Sequence, residues 1–310
     1  MIKRRDFLGT LGAGFLLPPG AQTYTYKTAG NLEIKADVYG ADPAVRRPVL
    51  LWIHGGALIG GHRGQTARQL QGPLLDAGYV VVSIDYRLAP ETKLPEIIAD
   101  VKDAYTWVRT KGPKLFNIDP DRMAVAGGSA GGYLTLMTGF CVKPRPKALV
   151  PFWGYGDITS EWYSRPDPFY NKQPEVSKDE AYASVGTTPI SEPPDKSNRS
   201  RFYLYCRQKG IWPKEVAGHD PDTESKWFDA YCPLRNVTQK YPPTLLIHGT
   251  KDTDVPYEQS ELMARKLKRE GVESELITVE GGSHGLGNID KAEVSKVYAR
   301  AVVFIKTHTR

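Results

Sequence analysis

The stretch Ala124-Val125-Ala126-Gly127-Gly128-Ser129-Ala130-Gly131-Gly132 leaves a chain few ways to fold. Small apolar residues suited to a buried strand run into a serine that has a glycine two before it, Gly127, and another two after it, Gly131. Lacking Cβ atoms, those glycines let strand and helix close tightly around a sharp turn. The serine is then held in a strained conformation with its hydroxyl exposed. The helix that follows, roughly 131–141, aims its N-terminus at the same point, where its N–H groups favour developing negative charge. Ser129 is therefore a candidate nucleophile. A structural turn in a chain of 30 glycines would look similar, so the assignment needs partners elsewhere in the sequence.

Around this turn the chain alternates apolar runs with amphipathic stretches. Tyr24 to Tyr39 alternates as two antiparallel strands joined near Gly30-Asn31. The runs 48–53, 79–84, 147–153, 244–249 and 275–279 read as strands, and the first of them is apolar enough to be buried on both faces. Helical spacing covers about 66–77, 95–111, 257–270 and 291–307. The fold class that follows is α/β, a mostly parallel central sheet flanked by helices. The rhythm breaks over about 154–241, a polar stretch rich in Pro, Tyr and Trp. Its aromatics argue against disorder, and a cap inserted over the end of the sheet fits better. Residues 23–310 thus form one domain with a cap insertion, whose aromatics read first as its own core and second as a surface that could stack on a sugar or an aromatic acid.

The chain has 310 residues, 40% of them hydrophobic and 25% charged, and its net charge of +6 is scattered. Without a basic stripe, nucleic-acid binding has no footprint, and no apolar run reaches the roughly 18 residues of a membrane span. The start is different: Lys3-Arg4-Arg5 precedes a short Gly-rich apolar segment, which resembles a bacterial twin-arginine export signal over about residues 1–22 and implies a periplasmic or extracellular protein. Cys141, Cys206 and Cys232 lack C-x-x-C spacing, which argues against a zinc site. An oxidising compartment would permit a Cys206–Cys232 bridge.

A nucleophilic serine needs a base and an acid to orient it. Lys251-Asp252-Thr253-Asp254 follows an apolar strand, and Asp252, nearest the strand end, is the preferred acid, with Asp254 as substitute or turn-shaping neighbour. Gly281-Gly282-Ser283-His284-Gly285 offers His284 on a loop that glycines make pliable. His54 and His248 end buried strands and read as structural. His62, His219 and His308 fall in a loop, the insertion and the tail. Oxyanion donors are offered by the backbone of Gly56 and Ala57, in His54-Gly55-Gly56-Ala57, and by Ala130 after the serine.

Taken together, His54-Gly55-Gly56, Asp85-Tyr86-Arg87-Leu88-Ala89-Pro90, Gly127-Gly128-Ser129-Ala130-Gly131-Gly132, His248-Gly249 through Asp252 to Val255-Pro256, and Gly282-Ser283-His284-Gly285 resemble an α/β-hydrolase of the esterase/lipase group. The likeness runs to the hormone-sensitive-lipase-like and bacterial feruloyl-esterase-like branches, over about 48–152 and 243–304. The order Ser129, Asp252, His284 is the one expected of that fold. The resemblance implies a cofactor-free carboxylic ester hydrolase acting on a small-molecule ester through an acyl-enzyme. A peptidase or acyl-peptide hydrolase, and a non-catalytic binding protein on the same fold, are the alternatives. One departure stands out: where many relatives have a third glycine or a tryptophan after His-Gly-Gly, this chain has Ala57-Leu58.

Overall fold

The apolar runs assemble into one eight-stranded sheet in the computed structural model, which describes residues 21–186, 188–190 and 198–310. The export-signal reading therefore lies outside the described residues. In chain order the strands are β1 (Gln22–Ala29), β2 (Leu32–Tyr39), β3 (Arg47–Ile53), β4 (Val80–Ile84), β5 (Ile118–Gly128), β6 (Ala148–Phe152), β7 (Thr244–Gly249) and β8 (Ser274–Val279). Their spatial order is β1-β2-β4-β3-β5-β6-β7-β8. The pairs β1–β2 and β2–β4 are antiparallel and every later pair is parallel. The serine strand β5 thus lies inside the sheet, between β3 and β6.

Burial on both faces explains the composition of the central strands. Val49, Leu51 and Ile53 of β3 point into one apolar cluster while Leu50 and Trp52 point into the other, and Val125 and Ala126 of β5 divide the same way. Helices α1 (Arg68–Asp76) and α10 (Lys291–His308) cover one face, supplying Leu70, Leu74, Ala301, Phe304 and Ile305. The other face is covered by α2 (Leu94–Phe116), α3 (Ala130–Cys141) and α9 (Glu258–Arg269), through residues such as Ile97, Val101, Tyr133, Leu134, Met263 and Leu267. The helix expected over 95–111 runs on to Phe116 and stops at Asn117, which takes a left-handed conformation.

Between β6 and β7 lie α4 (Glu161–Ser164), α5 (Lys178–Ala183), α6 (Ser200–Lys209), α7 (Trp212–Ala217) and α8 (Pro233–Asn236), with short 3-10 turns among them. This segment packs through aromatic rings. Tyr163 stacks on Trp212 with ring centres 4.0 Å apart and on Trp162 at 3.6 Å, and Tyr155 meets Tyr133 of α3 at 5.1 Å. Tyr155, Tyr163, Trp212, Phe202 and Phe228 are fully buried and continue the apolar cluster on the α2, α3 and α9 face of the sheet. Cys206 and Cys232 are both buried and both free; no bridge joins them.

Candidate active site

Ser129 sits where β5 ends and α3 begins, with φ 56° and ψ −121°. Non-glycine residues rarely adopt positive φ, and the strain is held here by close packing on both sides. A Cβ on Gly127 would lie 2.5 Å from the carbonyl oxygens of Ile53 and Gly131, and one on Gly131 would lie 2.0 Å from Ile53 O. Both glycines are thus needed for β3, β5 and α3 to approach one another. The Ser129 N–H is fixed by Phe152 O at 2.9 Å, which orients the turn against β6.

The turn after β3 is also strained: Gly56, Ala57 and Leu58 have φ of 107°, 56° and 61°. It closes through Ile59 N–H and Gly60 N–H, which both donate to Gly56 O, at 2.9 and 2.8 Å. Among the described residues no acceptor takes the N–H of Gly56, Ala57 or Ala130. For Ala130 this follows from its place at the first position of α3, where helix geometry leaves N–H groups unpaired. The turn is braced from two directions. Tyr86 Oη donates to His54 O at 3.0 Å from below, and Trp212 Nε1 of α7 donates to Ala57 O at 2.9 Å from above. The Asp85–Pro90 motif finds its purpose here: Arg63 pairs with Asp85 and Asp37, Arg87 pairs with buried Asp100, and Tyr86 is held beneath the turn. His54 stacks on Tyr86 at 4.2 Å and is fully buried, and burial pushes its pKa down to about 3.

Asp252 and His284 meet at the far side. His284 Nδ1 donates to Asp252 Oδ2 at 2.8 Å, and the other carboxylate oxygen, Oδ1, accepts the N–H groups of Asp254 (2.8 Å) and Val255 (2.9 Å). Burial opposes the Asp252 charge, but bonds from His248 and His284 outweigh it and hold this carboxyl well below the usual range. His248 is structural: its Nδ1 faces Ser260 Oγ at 2.7 Å, and its Nε2 lies 3.0 Å from Val255 O and 3.2 Å from Asp252 Oδ2.

Asp254 lies against the opposite nitrogen of the same ring, its Oδ2 3.4 Å from His284 Nε2. Burial disfavours the imidazolium, yet Asp254 and Asp252 together raise the His284 pKa above its ordinary value. The described residues include no hydrogen bond between His284 and Ser129 Oγ, an arrangement common where a ring is drawn onto its nucleophile only once substrate is bound. Trp153 bridges the two sides. It follows β6 at φ 36°, its indole lies against Gly128, and its ring meets His284 edge-on at 6.2 Å. Its position as the last residue of the apolar run 147–153, at a strand end, was the available signal that it lies beside the site. Among the described residues no group of His, Cys, Asp and Glu could hold a metal ion.

The BD-FAE family model matches residues 36–267. The non-reducing polyketide synthase adrD of Penicillium rubens is 32% identical across 93% of this chain, which spans 14% of that protein's length. Esterase LipC of Mycobacterium tuberculosis is 29% identical across 86% of this chain, which spans 63% of LipC. Among solved structures, Thermogutta terrifontis esterase 2, phosphoramylated by tabun, superposes with a TM-score of 0.65 at 23% identity, over 93% of this chain and 95% of that one.

Proposed function

Since the chain belongs to the BD-FAE family and has the fold of esterase-type α/β-hydrolases, we propose that it is a serine carboxylic ester hydrolase with Ser129, His284 and Asp252 as its triad. The observation that carries this reading is Ser129 itself: a non-glycine residue at φ 56° on a strand-to-helix turn, packed so close to the turn after β3 that a Cβ added at Gly55 would lie 3.3 Å from its own Cβ. Ser129 Oγ attacks the ester carbonyl carbon while its proton passes to His284 Nε2. Asp252 keeps the ring oriented through Nδ1 and stabilises the imidazolium. The N–H groups of Gly56, Ala57 and Ala130 hold the oxyanion. The carbon–oxygen bond then breaks, the leaving alkoxide takes the proton from Nε2, and water repeats the sequence on the acyl-enzyme.

The substrate is a small-molecule ester, with sugar and aromatic-acid esters as the first to try. The segment between β6 and β7 acts as the cap that selects it. The basic start of the chain sends the protein out of the cytoplasm. Replacing Ser129 with Ala should abolish covalent labelling by a fluorophosphonate and lower kcat by roughly 10³ to 10⁶ with the fold intact. Short acyl nitrophenyl esters should be cleaved far faster than amino-acid amides; the reverse ranking would make the protein a peptidase. Labelling that persists in Ser129→Ala would remove the nucleophile assignment, and absence of labelling in the wild type would leave a binding protein.

A further inference from the structure

Asp254 divides its carboxylate between two parts of the molecule. Its Oδ1 accepts from Tyr170 Oη at 2.8 Å, from Tyr203 Oη, and from Arg207 Nη1 at 2.9 Å, all three from the segment between β6 and β7. Its Oδ2 faces His284 Nε2. Arg207 is the fixed point of this cluster. The side chain is 1% exposed, its other terminal nitrogen pairs with Asp167, and its Nε has no hydrogen-bond partner among the described residues. The guanidinium lies in a cage of rings, 4.6 Å from the centre of Tyr170, 5.0 Å from Tyr163, 5.5 Å from Trp162 and 5.8 Å from Tyr203. A guanidinium so enclosed has few alternative positions, since leaving the cage would forfeit both carboxylates and the ring contacts.

Resting on the serine-hydrolase reading above, we propose that Asp254 is a positioning residue for His284: held by Arg207 and two tyrosines of the β6–β7 segment, it restrains Nε2 in the resting enzyme and sets how strongly that ring holds its proton. Between Asp252 and Asp254 the imidazole has a carboxylate on each nitrogen, an arrangement that favours the doubly protonated ring. To act as a base, the ring must give up the Asp254 contact in favour of Ser129. The segment that carries Arg207 thereby acts on the base as well as on the substrate. The charged and titratable groups around the ring are Asp252 and Asp254 from the loop after β7, Arg207 from α6, and His248, which touches Asp252 from β7. Arg207 offsets part of the Asp254 charge, so the net effect is smaller than that of a free carboxylate.

The test is a titration of His284 itself. In the Ser129→Ala background, the imidazole nitrogen resonances of selectively labelled histidine, assigned by loss in a His284→Gln variant, are followed with pH, with and without Asp254→Asn. The asparagine keeps the shape and removes the charge, so the His284 pKa should fall by roughly 0.5 to 1 unit, a reduced form of the shift of 1 to 3 units that a close opposite charge produces. In the active enzyme the acid limb of kcat/KM should move down by the same amount. Tyr203→Phe, which removes one donor from Asp254 and leaves the carboxylate charged, should move both values the other way by less. A His284 pKa unchanged in Asp254→Asn overturns the proposal. The nitrogen titration does not depend on turnover, so a protein that fails to hydrolyse esters would sink the functional reading and leave this measurement to judge Asp254 separately.

Discussion

Gly131→Ala tests the tightest spot that an added Cβ would meet at any glycine among the described residues. An added Cβ would lie 2.0 Å from Ile53 O and 2.6 Å from His54 O, whereas ordinary contact begins near 3.4 Å. Both oxygens are backbone atoms at the end of β3, so no side chain can rotate away. Relief requires β3 and α3 to separate by more than an ångström. Overpacking in cores costs about 1–3 kcal/mol, and a clash against backbone belongs at the upper end, near 3 kcal/mol. For a chain of this size that corresponds to a fall in Tm of about 6 °C. The same separation displaces Gly56 and Ala57, which follow β3 directly, from the helix that carries Ala130. A misplacement of about 1 Å in such a site costs on the order of 100-fold in rate. Thermal melts and kcat/KM on a nitrophenyl ester read the two effects. Gly287→Ala is the melting control, because its φ is −65° and nothing lies within 4 Å of its added Cβ. A Gly131→Ala protein that melts within about 1 °C of the parent and keeps kcat/KM within threefold would refute the claim that this glycine sets the spacing of the site.

Asp252→Asn should lower kcat by about 10³ to 10⁴, because the amide no longer fixes the His284 tautomer, and steady-state kinetics at pH 8 would register it. The depressed Asp252 pKa also contributes stability that is present above the unfolded carboxylate value of about 3.9 and is lost as pH falls through the lower folded value, so urea midpoints of the parent should drop more steeply in acid than those of Asp252→Asn. For buried His54 the folded pKa of about 3 lies below the unfolded value of about 6.5, so the unfolded state binds the extra proton between them. Stability should accordingly rise with pH across that window, by on the order of 3–5 kcal/mol, and His54→Gln should flatten this part of the profile.

Most of the sheet was legible because burial on both faces writes a continuous apolar run, as at 48–53 and 244–249, and each run ends in glycine or a turn residue. The helices α9 and α10 followed from periodicity to within a residue or two, and α3 followed from the serine turn that starts it. The segment between β6 and β7 was not legible in detail, because its helices are short and its packing rests on rings contributed one at a time, Trp162, Tyr163, Tyr170 and Trp212. Such packing leaves no period to read. The pairing of Asp252 with His284 connects two strand ends 32 residues apart, and strand order pointed to it. The contact of Asp254 with the other ring nitrogen had no such signal, since it depends on which way a side chain two residues further along the turn is drawn. What draws it is Arg207, and no local pattern links residues 207 and 254.

That long-range link changes how the β6–β7 segment is understood. A lid resting on a finished site would touch the sheet through apolar contacts that could slide. Here the contacts are directional and fall on site backbone. Trp212 donates to Ala57 O in the turn after β3, Arg199 donates to Ile59 O and to Ala89 O while pairing with Glu91, and Arg207 holds both the carbonyl and the carboxylate of Asp254. Each donor is largely buried, so breaking its bond would leave an unsatisfied polar group at a cost of about 1–3 kcal/mol, more for the two guanidinium groups. Opening the segment as one body would incur all of these costs together. Ser129 is only half-buried with these anchors in place, so reaching it does not require the segment to open as one body. Substitutions in α6 and α7 should alter the geometry of the turn after β3 and of the loop that carries His284, even at positions far from Ser129.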